Sequence, residues 1–130
     1  MKPEEKQLLL KDLCARLPYG VNIHIKYYDL QGDGELVSRD LKLTDGNICY
    51  CFNNGHWVDI KPYLRPLSSM TEEEENMLDS MCNGVEMVSR LSGLKMFDKA
   101  FDLLYSKHLD IHGLIEKGLA LEAPKEMYKV

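Results

Sequence analysis

The sequence of 130 residues has no long apolar run. No stretch approaches the roughly 20 apolar residues that a helix needs to cross a bilayer, so we expect no membrane-spanning segment and no membrane partner. The opening residues, MKPEEKQLLLKDL, carry charges on both sides of one short run of leucines, which is not the pattern of a secretory signal peptide. Together these features predict a cytoplasmic protein.

Cysteine and clustered positive charge are also scarce. The four cysteines are expected as reduced thiols, because disulfides belong to secreted proteins and no signal peptide is predicted. The 16 Lys and Arg residues are outnumbered by 21 Asp and Glu residues, which gives a net charge of −5. Generic DNA binding needs clustered basic side chains that displace counterions, and this balance argues against it while allowing a local basic patch.

Known catalytic motifs are absent as well. The sequence has no nucleophile elbow, no glycine loop that cradles phosphate and no H-E-x-x-H motif. The aspartates at 29, 33, 40 and 45 could offer paired carboxylates, but aspartate is common in turns for local hydrogen-bonding reasons. A cysteine and a histidine could still meet in space as a catalytic pair, although nothing local supports one. We therefore expect a non-enzymatic protein without a cofactor.

The most informative feature that is present is the segment 60–75, which reads IKPYLRPLSSMTEEEE. Pro62 and Pro66 favour an extended backbone, and Thr71 with Glu74 three residues later has the pattern of a helix capping box. The chain is strand-like before this segment and helical after it. Charge divides at the same place: residues 1–65 hold nine basic and nine acidic residues, and the remainder holds seven and twelve.

The first half of the chain predicts one helix followed by strands. Leucines at three- and four-residue spacing follow Pro3 and predict an amphipathic helix that ends at Pro18-Tyr19-Gly20. Turn residues such as Asp45-Gly46 and Asn54-Gly55 separate the strand-like segments, which predicts neighbouring antiparallel strands. The four predicted strands span 21–30, 36–43, 47–52 and 56–60. They form a four-stranded antiparallel meander, which could curl into a small SH3-like half-barrel.

The second half predicts two or three helices. Apolar residues keep helical spacing over 77–91, where Gly84 favours a break, and again over 97–108 after Ser92-Gly93. Asp110 could cap a short last helix, and the segment from 124 onward is expected as a loose tail. The prediction is thus a single α+β domain over 1–130, with a helix plus β-meander in 1–65 and a helical portion in 66–130.

One segment is similar to a calcium loop of the EF-hand type. Asp29, Asp33 and Asp40 fall at loop positions one, five and twelve. Gly34 falls where the loop needs its sharp turn. Against calcium, Gln31 is neutral, Asp40 is shorter than the usual glutamate, and the preceding segment alternates like a strand instead of a helix. A glycine-rich hairpin turn is therefore favoured over a calcium site.

A zinc site is the second metal hypothesis. Cys49 and Cys51 would share one face of the predicted third strand. His108 and His112 are four residues apart and could share a helix face, which would complete a Cys₂His₂ set. However, C-x-C within a strand is not a usual zinc spacing, and Asp110 interrupts the helix between the histidines. Burial of the cysteines in the core is favoured, and we expect no metal.

Aromatic and basic side chains concentrate in the predicted meander and just after it. We expect a protein-binding surface there, for which the candidate residues are Trp57, Tyr63 and Arg65. The alternative is a surface on which the bases of a single-stranded nucleic acid stack, helped by basic neighbours. The basic residues of that alternative are Lys26, Arg39 and Lys61.

A run of four glutamates at 72–75 is the strongest local charge in the sequence. It could attract a basic partner. A solvated first helical turn is the simpler account, because negative charge there complements the helix dipole.

Three segments carry a resemblance to a known family. They are LCARLPYGV at 13–21, IKPYLRPLSSMTEEE at 60–74 and GLIEKGLALEAP at 113–124, about a third of the chain. They resemble a family of small proteins of Bacteroides-type gut bacteria, often encoded beside prophage or other mobile-element genes. The resemblance implies bacterial or phage origin, an intracellular setting and an accessory role, and it transfers no activity or site residue. We expect a non-catalytic protein-interaction module of a mobile element or prophage.

Overall fold

The computed structural model describes residues 2–28, 34–53, 57–82 and 90–128. Within these ranges the side chains of Tyr50, Cys51, Asn53, Trp57, Val58, Cys82 and residues 90–97 lie outside the description. In chain order the elements are α1 (Pro3–Arg16), β1 (Asn22–Tyr28), β2 (Leu36–Lys42), α2 (Asp45–Asn53), β3 (Trp57–Leu64), α3 (Glu72–Cys82), α4 (Arg90–Ser106) and β4 (Leu121–Glu122). The predicted α+β class is confirmed, with an N-terminal helix, a four-stranded sheet and later helices.

The bounds of α1 follow from its sequence as predicted. Pro3 lies in the first turn, where its missing N–H costs nothing. Leu9 and Leu13, one turn apart, are wholly buried. The chain then forms a 3₁₀ turn at Leu17–Tyr19, and Gly20 takes a φ of 69° in the left-handed region that glycine favours.

The sheet is mixed, and its strand order is β2-β1-β3-β4. β1 lies between β2 and β3 and pairs antiparallel with both, whereas β4 pairs parallel with β3 at Tyr63 and Leu121. The predicted antiparallel meander is therefore wrong. β4 has only two residues, too few to show the alternation by which a strand is predicted. Because β1 lies between β2 and β3, the connection from β2 to β3 has to cross β1, which does not occur in a meander. The SH3-like half-barrel stays a prediction.

The third predicted strand is wrong because its residues form α2. Thr44 Oγ1 accepts a hydrogen bond from the Asn47 amide at 3.2 Å, and Asn47 Oδ1 accepts one from the Thr44 amide at 3.0 Å. This reciprocal cap makes Asp45-Gly46 the first turn of a helix instead of a hairpin turn. Ile48 packs in the core and gives the short helix its tertiary support.

β3 continues beyond the predicted strand end at Ile60 and includes the first proline of the 60–75 segment. Pro62 is buried opposite Ile23 of β1, and Leu64 is wholly buried. The proline-rich segment therefore begins within the sheet. The predicted capping box is confirmed at the start of α3, where the Thr71 amide donates to Glu74 Oε1 at 2.9 Å.

The helices of the second half differ from the prediction in two places. Ser92-Gly93 lies inside α4, because one interior glycine costs only about 1 kcal/mol and a helix of 17 residues can absorb that cost. Residues 114–118 form a single hydrogen-bonded turn instead of a short helix, since Gly113 at a φ of 68° interrupts the helical backbone. The predicted break at Gly84 lies outside the described residues. No described helix is both long enough and apolar enough to span a membrane.

The end of the described chain is anchored, so the predicted loose tail is wrong. The Tyr128 hydroxyl accepts a hydrogen bond from the Asn22 amide at 2.8 Å and donates one to the Tyr63 carbonyl at 2.8 Å. The Tyr128 ring stacks on His108, with ring centroids 3.8 Å apart. Tyr128 thus joins β1, β3 and the segment after α4.

The core lies on one side of the sheet. It joins α1, α2, β1, β3 and the residues that precede β4. Its members are Leu9, Leu13, Val21, Ile23, Ile25, Leu43, Ile48, Ile60, Leu64, Leu114, Leu119 and Ala120. In β1 the alternate residues Ile23 and Ile25 are buried, so His24 and Lys26 lie on the opposite face of the sheet.

Candidate functional site

Polar side chains of three strands share the face of the sheet that points away from the core. His24 of β1 lies opposite Asp40 of β2 and Lys61 of β3, and Lys26 lies opposite Asp59. Side chains directly opposite each other in antiparallel strands point to the same side. We call this surface the open face; its residues are His24, Lys26, Asp40, Lys42, Asp59, Lys61 and Tyr63.

Three of these side chains form one hydrogen-bonded group. His24 Nδ1 lies 2.6 Å from Asp40 Oδ1, and the Tyr63 hydroxyl donates to the same oxygen at 2.8 Å. The rings of His24 and Tyr63 meet edge to face with their centroids 6.3 Å apart. Each side chain therefore restricts the orientation of the other two.

The electrostatics of the group keep Asp40 ionised. The hydrogen bond from His24, and then that from Tyr63, lowers the pKa of Asp40. Burial, and then the hydrogen bond to Asp40, raises the pKa of Tyr63, so the phenol stays protonated and keeps donating. An ionised carboxylate can only accept, so His24 Nδ1 must carry the proton in this contact. The other ring nitrogen, Nε2, takes no part in this contact with Asp40.

Charges of both signs are interleaved on the open face. Lys61 Nζ lies 3.7 Å from Asp59 Oδ2, and Lys26 lies opposite Asp59 in the strand register. Lys26 is exposed, and so is Asp40. A surface with this alternation presents a specific charge pattern instead of one continuous basic stripe.

Two exposed apolar side chains adjoin the open face at one end. Tyr28 and Leu36 lie directly opposite each other at the ends of β1 and β2. They are 52% and 53% exposed, respectively, among the largest exposures of apolar side chains in the described chain. Protein interfaces combine an apolar centre with a polar rim, and this pair supplies exposed apolar area beside the polar side chains.

The predicted interaction residues are distributed over different environments. Tyr63 lies on the open face, as described above. Trp57 begins β3, and its side chain lies outside the described residues. Arg65, also predicted to lie on the surface, is only 8% exposed. Arg39, a basic residue of the nucleic-acid alternative, lies opposite Ile25 and so on the other side of β2 from the open face.

Arg65 is an internal anchor. Its Nη1 and Nη2 donate to the two carboxylate oxygens of Glu74, each at 2.8 Å. The same guanidinium also donates to the backbone carbonyls of Ser69 and Lys107. The hydrogen bonds from Arg65 lower the pKa of Glu74 to about 2, against the opposing effect of burial. Arg65 therefore holds α3 to the end of α4 and is not available to a partner.

The candidate calcium ligands do not form a site within the described residues. Asp29 and Asp33 lie outside them, and Asp40 lies in the middle of β2 with its carboxylate bound to His24 and Tyr63.

The candidate zinc ligands occupy three different environments. Cys49 is exposed on α2 and Cys14 is exposed on α1, so the expected burial of the cysteines in the core is wrong for both. Cys51 lies two positions after Cys49 on the same helix, a spacing that does not place residues face to face, and its side chain is not described. His108 stacks on Tyr128, and His112 Nδ1 lies 2.9 Å from Asp12. Among the described residues, no group of three His, Cys, Asp or Glu side chains could hold a metal ion.

A second polar cluster, not predicted from the sequence, lies inside the molecule. Asp12 and Arg16 of α1 are wholly buried and joined by two hydrogen bonds of 2.7 and 3.1 Å. Arg16 also donates to the carbonyl of Leu109 at 2.7 Å, and its guanidinium lies over the ring of Tyr105. The spacing of four residues between Asp12 and Arg16 is the only sequence signal for this pair. The cluster holds the segment after α4 against α1.

Comparison of the chain with protein-family models, with curated proteins and with solved structures finds no match in any of the three. A function for this chain therefore has to be inferred from the geometry of the open face.

Proposed function

We propose that this protein is a non-catalytic interaction module that binds a partner protein through the open face. The observation that carries the proposal is the group of His24, Asp40 and Tyr63, whose side chains are fixed by short hydrogen bonds on an accessible sheet surface. Fixed side chains lose little conformational freedom on binding, which favours recognition. On the basis of the resemblance described above, we also propose that the protein belongs to a bacterial mobile element or prophage and acts in the cytoplasm.

The charge pattern favours a protein over a nucleic acid as the partner. Asp40 and Asp59 lie between the lysines of the face, where they would repel a phosphate backbone. A protein surface can place basic groups opposite the aspartates and acidic groups opposite Lys26 and Lys61. The apolar pair of Tyr28 and Leu36 would extend such an interface.

Single-stranded nucleic acid is the second candidate, because Lys26, Lys61 and Tyr63 share one face. A gel-shift series with a single-stranded oligonucleotide at increasing salt separates the two candidates. We expect no shift at low salt. A shift that weakens steeply with salt and is lost on reversing the charges of Lys26 and Lys61 would support the nucleic-acid function instead.

Affinity capture from a bacterial lysate tests the protein-binding function. The baits are the full chain, the variant Lys26→Glu/Lys61→Glu and the control Lys117→Glu/Lys125→Glu. The control makes the same charge change at exposed lysines outside the open face. We expect a partner that the wild-type chain and the control retain and the open-face variant loses by at least about tenfold, a difference that a few interfacial ion pairs can supply. Equal capture by all three baits would contradict binding through this face.

A further inference from the structure

A groove of about 690 Å³ runs along α3, on an element that contributes nothing to the open face. Its described lining consists of two parallel rows of residues at four-residue spacing. The rows are Glu73, Met77, Met81 and Glu72, Asn76, Ser80. One row is therefore apolar with an acidic end, and the other is polar with an acidic end.

The charge of α3 is entirely negative. The helix contains four consecutive glutamates and Asp79, and it has no Lys or Arg. The charge of Glu74 is balanced by its ion pair with Arg65. The Glu74 carboxylate also accepts a hydrogen bond from the Thr71 amide in the helix cap. Glu72 and Glu73 are exposed, and neither forms an ion pair with any other described residue.

The helix dipole does not account for all of this charge. Negative side chains are favoured near a helix N-terminus, but the effect falls off within the first turn. Asp79 is the eighth residue of α3 and is also exposed. The negative charge of α3 thus extends beyond its first turn, while the charged residues that line the groove are Glu72 and Glu73.

The apolar row of the groove is built from methionine. Met77 is 42% exposed, and Met81 lies one turn further along the helix, also within the groove. Methionine is flexible and polarisable, so a methionine row adapts to the apolar side chains of different partners. The groove volume lies within the range that accommodates several side chains.

We propose that this groove binds a basic amphipathic helix of a partner protein. The apolar stripe of that helix would lie along Met77 and Met81, and its Lys or Arg residues would face Glu72 and Glu73. Acidic residues at one end of a methionine row are complementary to such a helix in both charge and apolar character. This site is additional to the open face and does not depend on the function proposed for it.

The test uses the full chain and a fluorescently labelled synthetic peptide of leucine and lysine, with the leucines spaced to form one helical stripe. We expect Glu72→Gln/Glu73→Gln to weaken binding about threefold to tenfold, which is the range for two exposed ion pairs. The control Glu116→Gln/Glu126→Gln removes two exposed carboxylates elsewhere, and we expect it to change binding less than about twofold. A second variant, Met77→Lys, places a positive charge in the apolar row and is expected to weaken binding at least as much as the glutamine pair.

Two results would overturn the proposal. One is equal weakening by the control and by the groove variant, which would show attraction to the net charge of the chain alone. The other is equal binding of a peptide with the same composition but no leucine stripe. The open-face variant Lys26→Glu/Lys61→Glu should still bind the peptide, so failure of the groove and failure of the open face are separate outcomes.

Discussion

Five charged side chains are buried among the described residues, and each has a partner inside the molecule. They are Asp12, Arg16, Arg65, Glu74 and Asp110. Asp12 pairs with Arg16, Arg65 pairs with Glu74, and Asp110 accepts hydrogen bonds from the amides of Leu114 and Ile115. Breaking such a pair is costly, because the remaining charge stays buried without compensation.

Glu74→Ala should therefore destabilise the protein by about 3–5 kcal/mol, because Arg65 would lose its bidentate partner. The neighbouring Glu73→Ala removes an exposed carboxylate and should change the free energy of unfolding by no more than about 0.5 kcal/mol. Urea unfolding of both variants measures the difference. Equal, small effects would mean that the Arg65–Glu74 pair contributes little to the fold.

His108 should make stability depend on pH. Its burial, and then the nearby positive charge of Arg16, Arg65 and Lys107, lowers its pKa from 6.5 to about 4. The unfolded chain thus takes up this proton first as the pH falls. The stabilisation is complete above about pH 6.5, and it is lost as the pH falls towards the folded-state pKa of about 4.

The variant His108→Asn removes this titration while keeping the backbone, because His108 has a φ of 61° and asparagine tolerates that region. Urea unfolding at a series of pH values should show a steeper loss of stability for the wild type than for the variant over that interval. The pKa of Glu74, lowered from 4.5 to about 2, causes a further loss at lower pH in both proteins. Parallel curves between pH 6.5 and 4 would rule out the assigned role of His108.

At the scale of elements, capping residues determined the secondary structure of the segment 45–53 more than strand propensity did. Residues 47–52 look like a β-strand in isolation, yet the reciprocal cap of Thr44 and Asn47 begins a helix there. The start of α3 was predictable because its cap, Thr71 with Glu74, uses the usual Thr and Glu pattern. The cap at Thr44 uses Asn in place of Glu or Gln, so the usual pattern does not detect it.

Thr44→Ala should destabilise the protein by about 1 kcal/mol, since the Asn47 amide would lose its hydrogen-bond acceptor. Thr44→Ser keeps the hydroxyl and should retain most of that stability. Thermal unfolding followed by circular dichroism compares the two variants. If alanine and serine behave alike, the Thr44 hydroxyl does not cap α2.

At the scale of the whole molecule, the last described segment of the chain joins the sheet. β4 pairs with β3, and Tyr128 bonds to backbone groups of β1 and β3. The sequence predicted the helix α1 and the first two strands, because these depend on local periodicity. It could not predict the β3–β4 pairing, the burial of Arg65 or the anchoring of Tyr128, because these depend on contacts between distant segments.

Tyr128→Phe should destabilise the protein by about 1–3 kcal/mol, because the Asn22 amide and the Tyr63 carbonyl would both lose a hydrogen-bond partner. Amide exchange at Asn22 should also become faster. The exposed neighbour Glu126→Ala serves as the control and should change neither measurement appreciably. Unchanged stability in Tyr128→Phe would support the loose tail expected from the sequence.

The most direct test of the central claim is an NMR titration of the isotope-labelled chain with the partner obtained by affinity capture. If the open face is the binding surface, the largest changes in amide chemical shift will fall on β1, β2 and the residues of β3 from Asp59 to Tyr63. The side-chain signals of His24 should shift with them, because its imidazole lies at the centre of that surface. Changes confined to other elements, with the open-face signals unmoved, would contradict the account.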